Sequence, residues 1–126
     1  MPTTTGGYTS EALAAQASEV ELATFTLASA IDLGTLATER ARAEGLGIVI
    51  EVHHLGRLAY RAALPGSLPD SDDWIARKAR VVRRFGASTL AVRVRYEEKG
   101  TTFAEATGLS EAEYAPHGGG FPITVT

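Results

Sequence analysis

The chain has 126 residues, of which 44% are hydrophobic and 21% charged, and its formal net charge is −3. This length supports one hydrophobic core, and the composition is that of an ordinary folded domain rather than of a disordered or membrane-like chain. The negative net charge gives no overall attraction to nucleic acid or anionic lipid. Because there is no cysteine, disulfides, thiolate metal sites and cysteine nucleophiles are excluded.

The N-terminal residues, 1–8, are rich in Thr and Gly and predict a frayed end. They lack the basic and apolar regions of a signal peptide, and no later apolar run approaches the roughly 18 residues of a membrane span. The sequence therefore predicts one domain over residues 1–126, a cytoplasmic location, and neither membrane nor nucleic acid as a partner.

The first half of the chain predicts a short helix, a strand and a longer helix. Ser10 precedes an Ala-rich segment and is expected to cap the short helix. Residues 20–27 alternate weakly and predict a strand. A 3.6-residue pattern over Ser29–Glu44 predicts a helix that ends before Gly45. Its predicted core residues are Ile31, Leu33, Leu36, Ala37 and Ala41.

Residues 47–64 predict a β-hairpin. A two-residue loop at Leu55-Gly56 would pair Ile50 with Arg61, whereas a three-residue loop at His54-Leu55-Gly56 pairs Ile50 with Tyr60. The three-residue loop is predicted because it collects the apolar side chains on one face. That face comprises Ile48, Ile50, Val52, Leu58, Tyr60 and Ala62, and the opposite face comprises Glu51, His53, Arg57 and Arg61.

A Pro- and Gly-rich loop over residues 64–69 leads into a predicted helix that runs to Gly86. Asp70, Ser71, Asp72 and Asp73 supply capping oxygens and negative charge to its N-terminus, a more probable role than metal binding at this spacing. Trp74 begins an apolar stripe with Ile75, Ala79, Val82 and Phe85, which predicts Trp74 as a core anchor. The other face carries Arg77, Arg80, Arg83 and Arg84, either as a solvated row or as a contact for phosphates, propionates or an acidic partner.

The segment 88–99 is ambiguous by pattern, since it alternates like a strand but also fits a helix capped by Ser88. Residues 103–113 predict short helical pieces broken at Gly108. A glycine loop then enters a final strand at residues 121–126.

His117 is the histidine with the strongest case for ligand binding. It precedes three glycines on a loop, where backbone amides can approach a ligand closely; alternatively, the glycines only form a bulge before the strand. His53 and His54 cannot chelate together from one strand, because adjacent side chains point to opposite faces. No Ser-His-Asp or paired-carboxylate motif is present at usable spacing, so no catalytic residues are assigned.

The second half of the chain carries an ordered set of motifs. In sequence order they are Pro65-Gly66-Ser67, Asp72-Asp73-Trp74-Ile75-Ala76-Arg77-Lys78-Ala79, Arg84-Phe85-Gly86-Ala87-Ser88-Thr89, Glu98-Lys99-Gly100 and Tyr114-Ala115-Pro116-His117-Gly118-Gly119-Gly120-Phe121-Pro122-Ile123. This set resembles the short cytoplasmic branch of the heme-degrading-domain (GlcG/HbpS-like) family. The family has asparagine where this chain has Asp72 and Arg80, which removes those amides from a polar pocket.

The resemblance implies an α+β, profilin-like, three-layer domain, with an antiparallel sheet of about five strands and helices on both faces. It assigns residues 88–98 to a helix despite their alternation. The family continues beyond the Gly-Phe-Pro-Ile strand through another strand and a terminal helix, which this chain is expected to lack.

The resemblance also implies a small-ligand-binding domain with heme as a candidate ligand. Heme needs an axial ligand, apolar walls and cations for its propionates. The implied site residues are His117 as ligand, Gly118, Gly119 and Gly120 as the loop, Phe121 and Trp74 as walls, and Arg77 and Lys78 for the propionates; no metal site is assigned beyond His117. The alternative function is a non-catalytic oligomeric scaffold, in which residues 118–126 or sheet edges form a homo-oligomer contact.

Overall fold

The computed structural model describes residues 6–125, so the predicted fraying of residues 1–5 and the end of the last strand at Thr126 lie outside the described residues. Within this range the chain forms five α-helices and two strands. These are α1 (Ser10–Glu19), α2 (Leu27–Ala43), β1 (Val49–His54), β2 (Arg57–Ala63), α3 (Asp70–Phe85), α4 (Thr89–Glu98) and α5 (Phe103–Thr107).

The α+β class is confirmed, but the prediction of about five strands is not. Across residues 6–125 the sheet has two antiparallel strands. The predicted strands over residues 20–27 and 121–126 are both wrong, because their described residues form only one isolated bridge, between Leu22 and Val125. Leu27, the last residue of the first of these segments, begins α2, because Thr26 and Ser29 form a capping box that satisfies backbone donors at the helix start.

Contacts divide the chain into two compact units, one of residues 23–75 and one of residues up to 22 together with 76 onward. In the first unit, α2 packs against the hairpin. Its buried residues are Ala30, Gly34 and Ala41, whereas Ile31 and Leu36, predicted for the core, are exposed. Small side chains line the contact because Gly34 lies against the Tyr60 ring, whose hydroxyl is 2.6 Å from Thr38 Oγ1.

The hairpin is confirmed, but its predicted register is wrong. The turn has two residues, Leu55 and Gly56, both with positive φ, as a tight hairpin turn requires. Val52 pairs with Tyr60 and His53 with Leu58, so Ala59 is an extra, bulged residue. A bulge shifts the register by one residue. The bulge at Ala59 places Tyr60 opposite Val52 and Ala62 opposite Ile50, on the apolar face as predicted. Leu58, predicted for the same face, pairs with His53.

In the second unit a small core forms around Val81 of α3, Val92 of α4 and Phe103 of α5. The aromatic rings of Phe85 and Tyr96 meet Phe103 edge-on, at centroid distances of 5.7 and 6.0 Å. The other partly buried residues packed against this core are Ala87, Leu109 and Tyr114. The core therefore draws one side chain from each of three helices.

The segment 89–98 is helical, as the resemblance implies and the alternation does not. Ser88 caps α4 by accepting a hydrogen bond from the Ala91 amide at 3.1 Å. Thr89, Val92 and Val94 are all buried. Residues two apart lie on different sides of a helix, so α4 is buried on more than one side. Apolar residues at both Val92 and Val94 produce the strand-like alternation.

Trp74 is not the core anchor that its stripe predicts. Its side chain is 40% exposed, and the buried residue of α3 is Val81. Val81 lies seven residues after Trp74, about two helical turns, so the two side chains share a face of α3. Val81 is fully buried there, whereas Trp74 is partly exposed. The predicted stripe did not include Val81, so it missed the buried residue of α3 as well as the exposure of Trp74.

Candidate functional site

The loop after α5 is held against α3 by its backbone. The amide of Ala115 donates to the carbonyl of Arg77 at 3.3 Å, and Ala115 and Pro116 are buried. His117 follows directly and is half-buried. This anchoring fixes the start of the segment His117–Gly120, called the glycine loop below.

The end of the glycine loop packs on the N-terminus of α4. Thr89 Oγ1 accepts from the Gly120 amide at 3.1 Å, and the Thr89 amide donates to the Gly120 carbonyl at 2.8 Å. A Cβ at Gly120 would lie 3.1 Å from Thr89 Cγ2 and 3.2 Å from Val82 Cγ2. A side chain here would push against Thr89 and Val82, so glycine is favoured because the backbone approaches both closely.

The middle of the glycine loop contacts Lys78. The Lys78 ammonium donates to the Gly118 carbonyl at 3.0 Å. Gly119 has φ +127°, and a Cβ there would lie 3.2 Å from Lys78 Nζ. Burial lowers the pKa of Lys78, because taking an ammonium out of water disfavours its charged form.

His117 is paired with an arginine that the sequence did not single out. Arg93 Nη1 lies 2.7 Å from His117 Nδ1. A guanidinium only donates hydrogen bonds, so Nδ1 accepts and the ring proton is on Nε2. Burial first, and then the charges of Arg93 and Lys78, lower the pKa of His117, with Glu111 opposing them. The imidazole is therefore held in its neutral form.

Arg93 was not singled out by the sequence, because nothing local shows that its helix packs against the glycine loop. On α4, Arg93 is four residues after Thr89 and shares its face. Thr89 contacts Gly120, so that face of α4 points Arg93 at the glycine loop. Arg93 also lies 3.7 Å from Glu97 Oε1 on the next turn.

Two of the four arginines on α3 hold backbone oxygens. Arg77 Nη1 donates to the Glu111 carbonyl and Arg80 Nη1 to the Glu113 carbonyl, both at 3.1 Å. Arg84 lies over the Tyr114 ring, 5.8 Å from its centroid. The arginine row is therefore in part a clamp on residues 111–114 rather than a uniformly solvated face.

The two residues predicted as apolar walls are both exposed. Phe121 is 65% exposed and Trp74 is 40% exposed. Of the predicted site residues, the structure brings together Lys78, His117, Gly118, Gly119 and Gly120. It adds Arg93, which contacts His117. Arg77 instead binds the Glu111 carbonyl.

A second polar cluster lies on the hairpin. Glu51 accepts from Arg61 Nε at 3.3 Å and contacts His53 Nε2 at 2.9 Å, and Arg61 also pairs with Asp72. A cleft of about 310 Å³ adjoins it. Asp72 is therefore engaged in an ion pair with Arg61. The cleft is lined by Val49, Arg61, Ala63, Ser67, Leu68, Pro69 and Asp72.

Residues 6–125 contain no group of three or more His, Asp or Glu side chains that could hold a metal ion. Over the same residues, no helix combines the length and the apolar character needed to cross a membrane.

Comparison with known proteins identifies the family. Residues 25–126 match the model described as "Haem degrading protein HbpS-like". A UPF0303 protein of Streptomyces coelicolor is 48% identical over 101 residues, which cover 80% of this chain and 64% of that protein. A UPF0303 protein of Streptomyces avermitilis is 45% identical over 113 residues, which cover 90% of this chain and 69% of that protein.

The fold has a solved counterpart as well. The crystal structure of the Ybr137w protein matches with a TM-score of 0.80 and 29% identity, covering 95% of this chain and 70% of that one. The chain thus spans about two thirds of the length of these proteins. Fold and loop together define an α+β domain with a basic glycine loop. The chain belongs to the HbpS-like haem degrading protein family.

Proposed function

We propose that this chain is a small-ligand-binding domain and that its site consists of the glycine loop with Lys78 and Arg93. One observation carries the proposal: basic side chains from two helices, α3 and α4, meet at a loop whose glycines keep the backbone accessible. Ligand sites commonly combine exposed backbone groups with a few convergent polar side chains.

The family description raises heme as the ligand, and the site residues fit heme in part. Lys78 and Arg93 suit its propionates, because cations bind carboxylates through charge-assisted hydrogen bonds. Histidine that ligates a metal normally donates its other ring N–H to a carboxylate or carbonyl. Here Arg93 donates to Nδ1 and leaves the proton on Nε2, so His117 does not fit as an iron ligand.

A hemin titration followed by absorbance tests the site. We expect saturable binding at about one heme per chain and at least tenfold weaker binding in Lys78→Ala, because a charge-assisted hydrogen bond is lost. Arg40→Ala is the matched control, since that side chain is 79% exposed and lies in the other unit. Non-saturating association that is equal in both variants would contradict the proposal.

A second candidate function is self-association as a non-catalytic scaffold. Leu22 and Val125 pair through their backbones, with the Leu22 amide 2.9 Å from the Thr124 carbonyl. Their side chains are exposed, as are those of Val20 and Phe121. Exposed apolar side chains beside an unextended backbone pairing favour contact with a second copy of the chain.

Light scattering over a wide dilution range measures this self-association. We expect a homo-oligomer that dissociates in Val20→Asp, because the charge falls on a side chain that is 67% exposed. Leu55→Asp at the hairpin turn introduces the same charge at another exposed apolar residue and should leave the oligomer intact. A folded monomer at tens of micromolar would exclude the scaffold.

A further inference from the structure

We propose that the group recognised at the glycine loop is a carboxylate, bound by Lys78 and Arg93, and that His117 acts there as a neutral hydrogen-bonding residue rather than an iron ligand. The inference rests on the proposed function and names the ligand chemistry of the same site. It turns on two features, an ammonium without a carboxylate partner and an imidazole oriented by a guanidinium.

The first feature is the ammonium of Lys78. Among the residues that the structure describes, its partner is the Gly118 carbonyl and no carboxylate lies within 4 Å. Burial lowers its pKa with no opposing contribution from an acid. A partly buried charge is costly unless it is paired, so this position is stabilised by an anion that comes from outside the chain.

The local charge balance favours the same ligand. Arg77, Lys78 and Arg93 all act on His117 to lower its pKa, whereas Glu111 alone raises it. Glu97 offsets part of the Arg93 charge at 3.7 Å. Three cations therefore act on His117 from around the loop, and a carboxylate ligand would place an opposite charge among them.

The second feature is the orientation of His117. Because Arg93 holds Nδ1 as an acceptor, the ring presents a donor on its other nitrogen and no lone pair there. A donor suits a carboxylate oxygen, whereas iron requires a lone pair. Gly119 keeps this arrangement open, since a Cβ there would crowd Lys78 Nζ.

The test compares three porphyrins with the full chain. Hemin and metal-free protoporphyrin IX carry the same two propionates, and a cationic tetrapyridinium porphyrin carries none. We expect the first two to bind within about threefold of each other and the cationic ring to bind at least thirtyfold more weakly. Tight binding of hemin with weak binding of protoporphyrin IX would overturn the inference while leaving the proposed function standing. If no porphyrin and no citrate binds, the proposed function itself fails.

Substitutions at His117 give an independent readout. A glutamine side chain offers an oxygen acceptor to Arg93 and an N–H donor, but it is a poor iron ligand. We expect His117→Gln to keep hemin affinity within about threefold and to leave the Soret maximum in place, and His117→Leu to weaken binding at least tenfold. A shifted Soret maximum with lost affinity in His117→Gln would show iron ligation and refute the inference.

Citrate distinguishes the two sources of the carboxylate. Calorimetric binding of citrate alone, weakened at least tenfold in Lys78→Ala, would assign the site to free organic acids. Binding of protoporphyrin IX without citrate binding would assign it to a porphyrin propionate. Both results support a carboxylate, and a citrate affinity equal in Lys78→Ala and wild type would contradict the role of Lys78.

Discussion

Replacing Phe103 by alanine is expected to lower the free energy of unfolding by about 3–5 kcal/mol, the usual cost of emptying a buried aromatic site. Phe103 is 6% exposed and contacts the rings of Phe85 and Tyr96 edge-on. It belongs to a helix of five residues, too short to be stable by itself. Truncation therefore removes the main attachment of α5. Urea denaturation followed by circular dichroism measures the loss.

Trp74→Ala is the matched comparison. It deletes a larger aromatic side chain, but one that is 40% exposed, so less apolar surface is returned to water. We expect its cost to be clearly smaller than that of Phe103→Ala. Equal destabilisation of the two variants would show that the core does not centre on Phe103.

Replacing Gly34 by alanine is expected to destabilise the unit of residues 23–75 by about 1–3 kcal/mol, the usual cost of overpacking. A Cβ at this position would overlap the Tyr60 ring. A loss of stability would be informative, because replacing glycine by alanine inside a helix otherwise stabilises it by about 1 kcal/mol. The Tyr60 ring cannot retreat without disturbing the 2.6 Å contact of its hydroxyl with Thr38.

A double-mutant cycle isolates this contact. In a Tyr60→Ala background the obstacle is absent, so adding Gly34→Ala should cost nothing or should stabilise the helix slightly. Thermal and urea unfolding of the four proteins give the coupling. The same loss in both backgrounds would place the cause elsewhere than the ring.

The sequence supports some elements of the fold better than others. Capping and glycine signals predicted the end of α2 before Gly45 and the break at Gly108, both of which have positive φ. These signals are local, so one sequence suffices. The hairpin register could not be predicted in the same way, because no residue type near Ala59 signals a bulge there. The bulge still places Tyr60 and Ala62 on the apolar face, so the pattern of apolar residues does not reveal it.

Depth and partner choice were also beyond a single sequence. Periodicity identified the apolar stripe of α3 but not that Val81, rather than Trp74, is its buried residue. Likewise His117 and its glycines were identified from their loop position, whereas Arg93 reaches them only because α4 is a helix. Both errors concern which side chains meet in space, and that depends on packing between elements distant in sequence.

The three consecutive glycines of the loop are expected to differ in how readily each is replaced during evolution. At Gly118 a Cβ meets nothing within 4 Å, so this position is free to drift to other residues. At Gly119 the positive φ strains any residue other than glycine. At Gly120 the close approach to Thr89 and Val82 disfavours larger side chains. A run that looks like a simple repeat is therefore three separate constraints, and related chains are expected to lose its first member first.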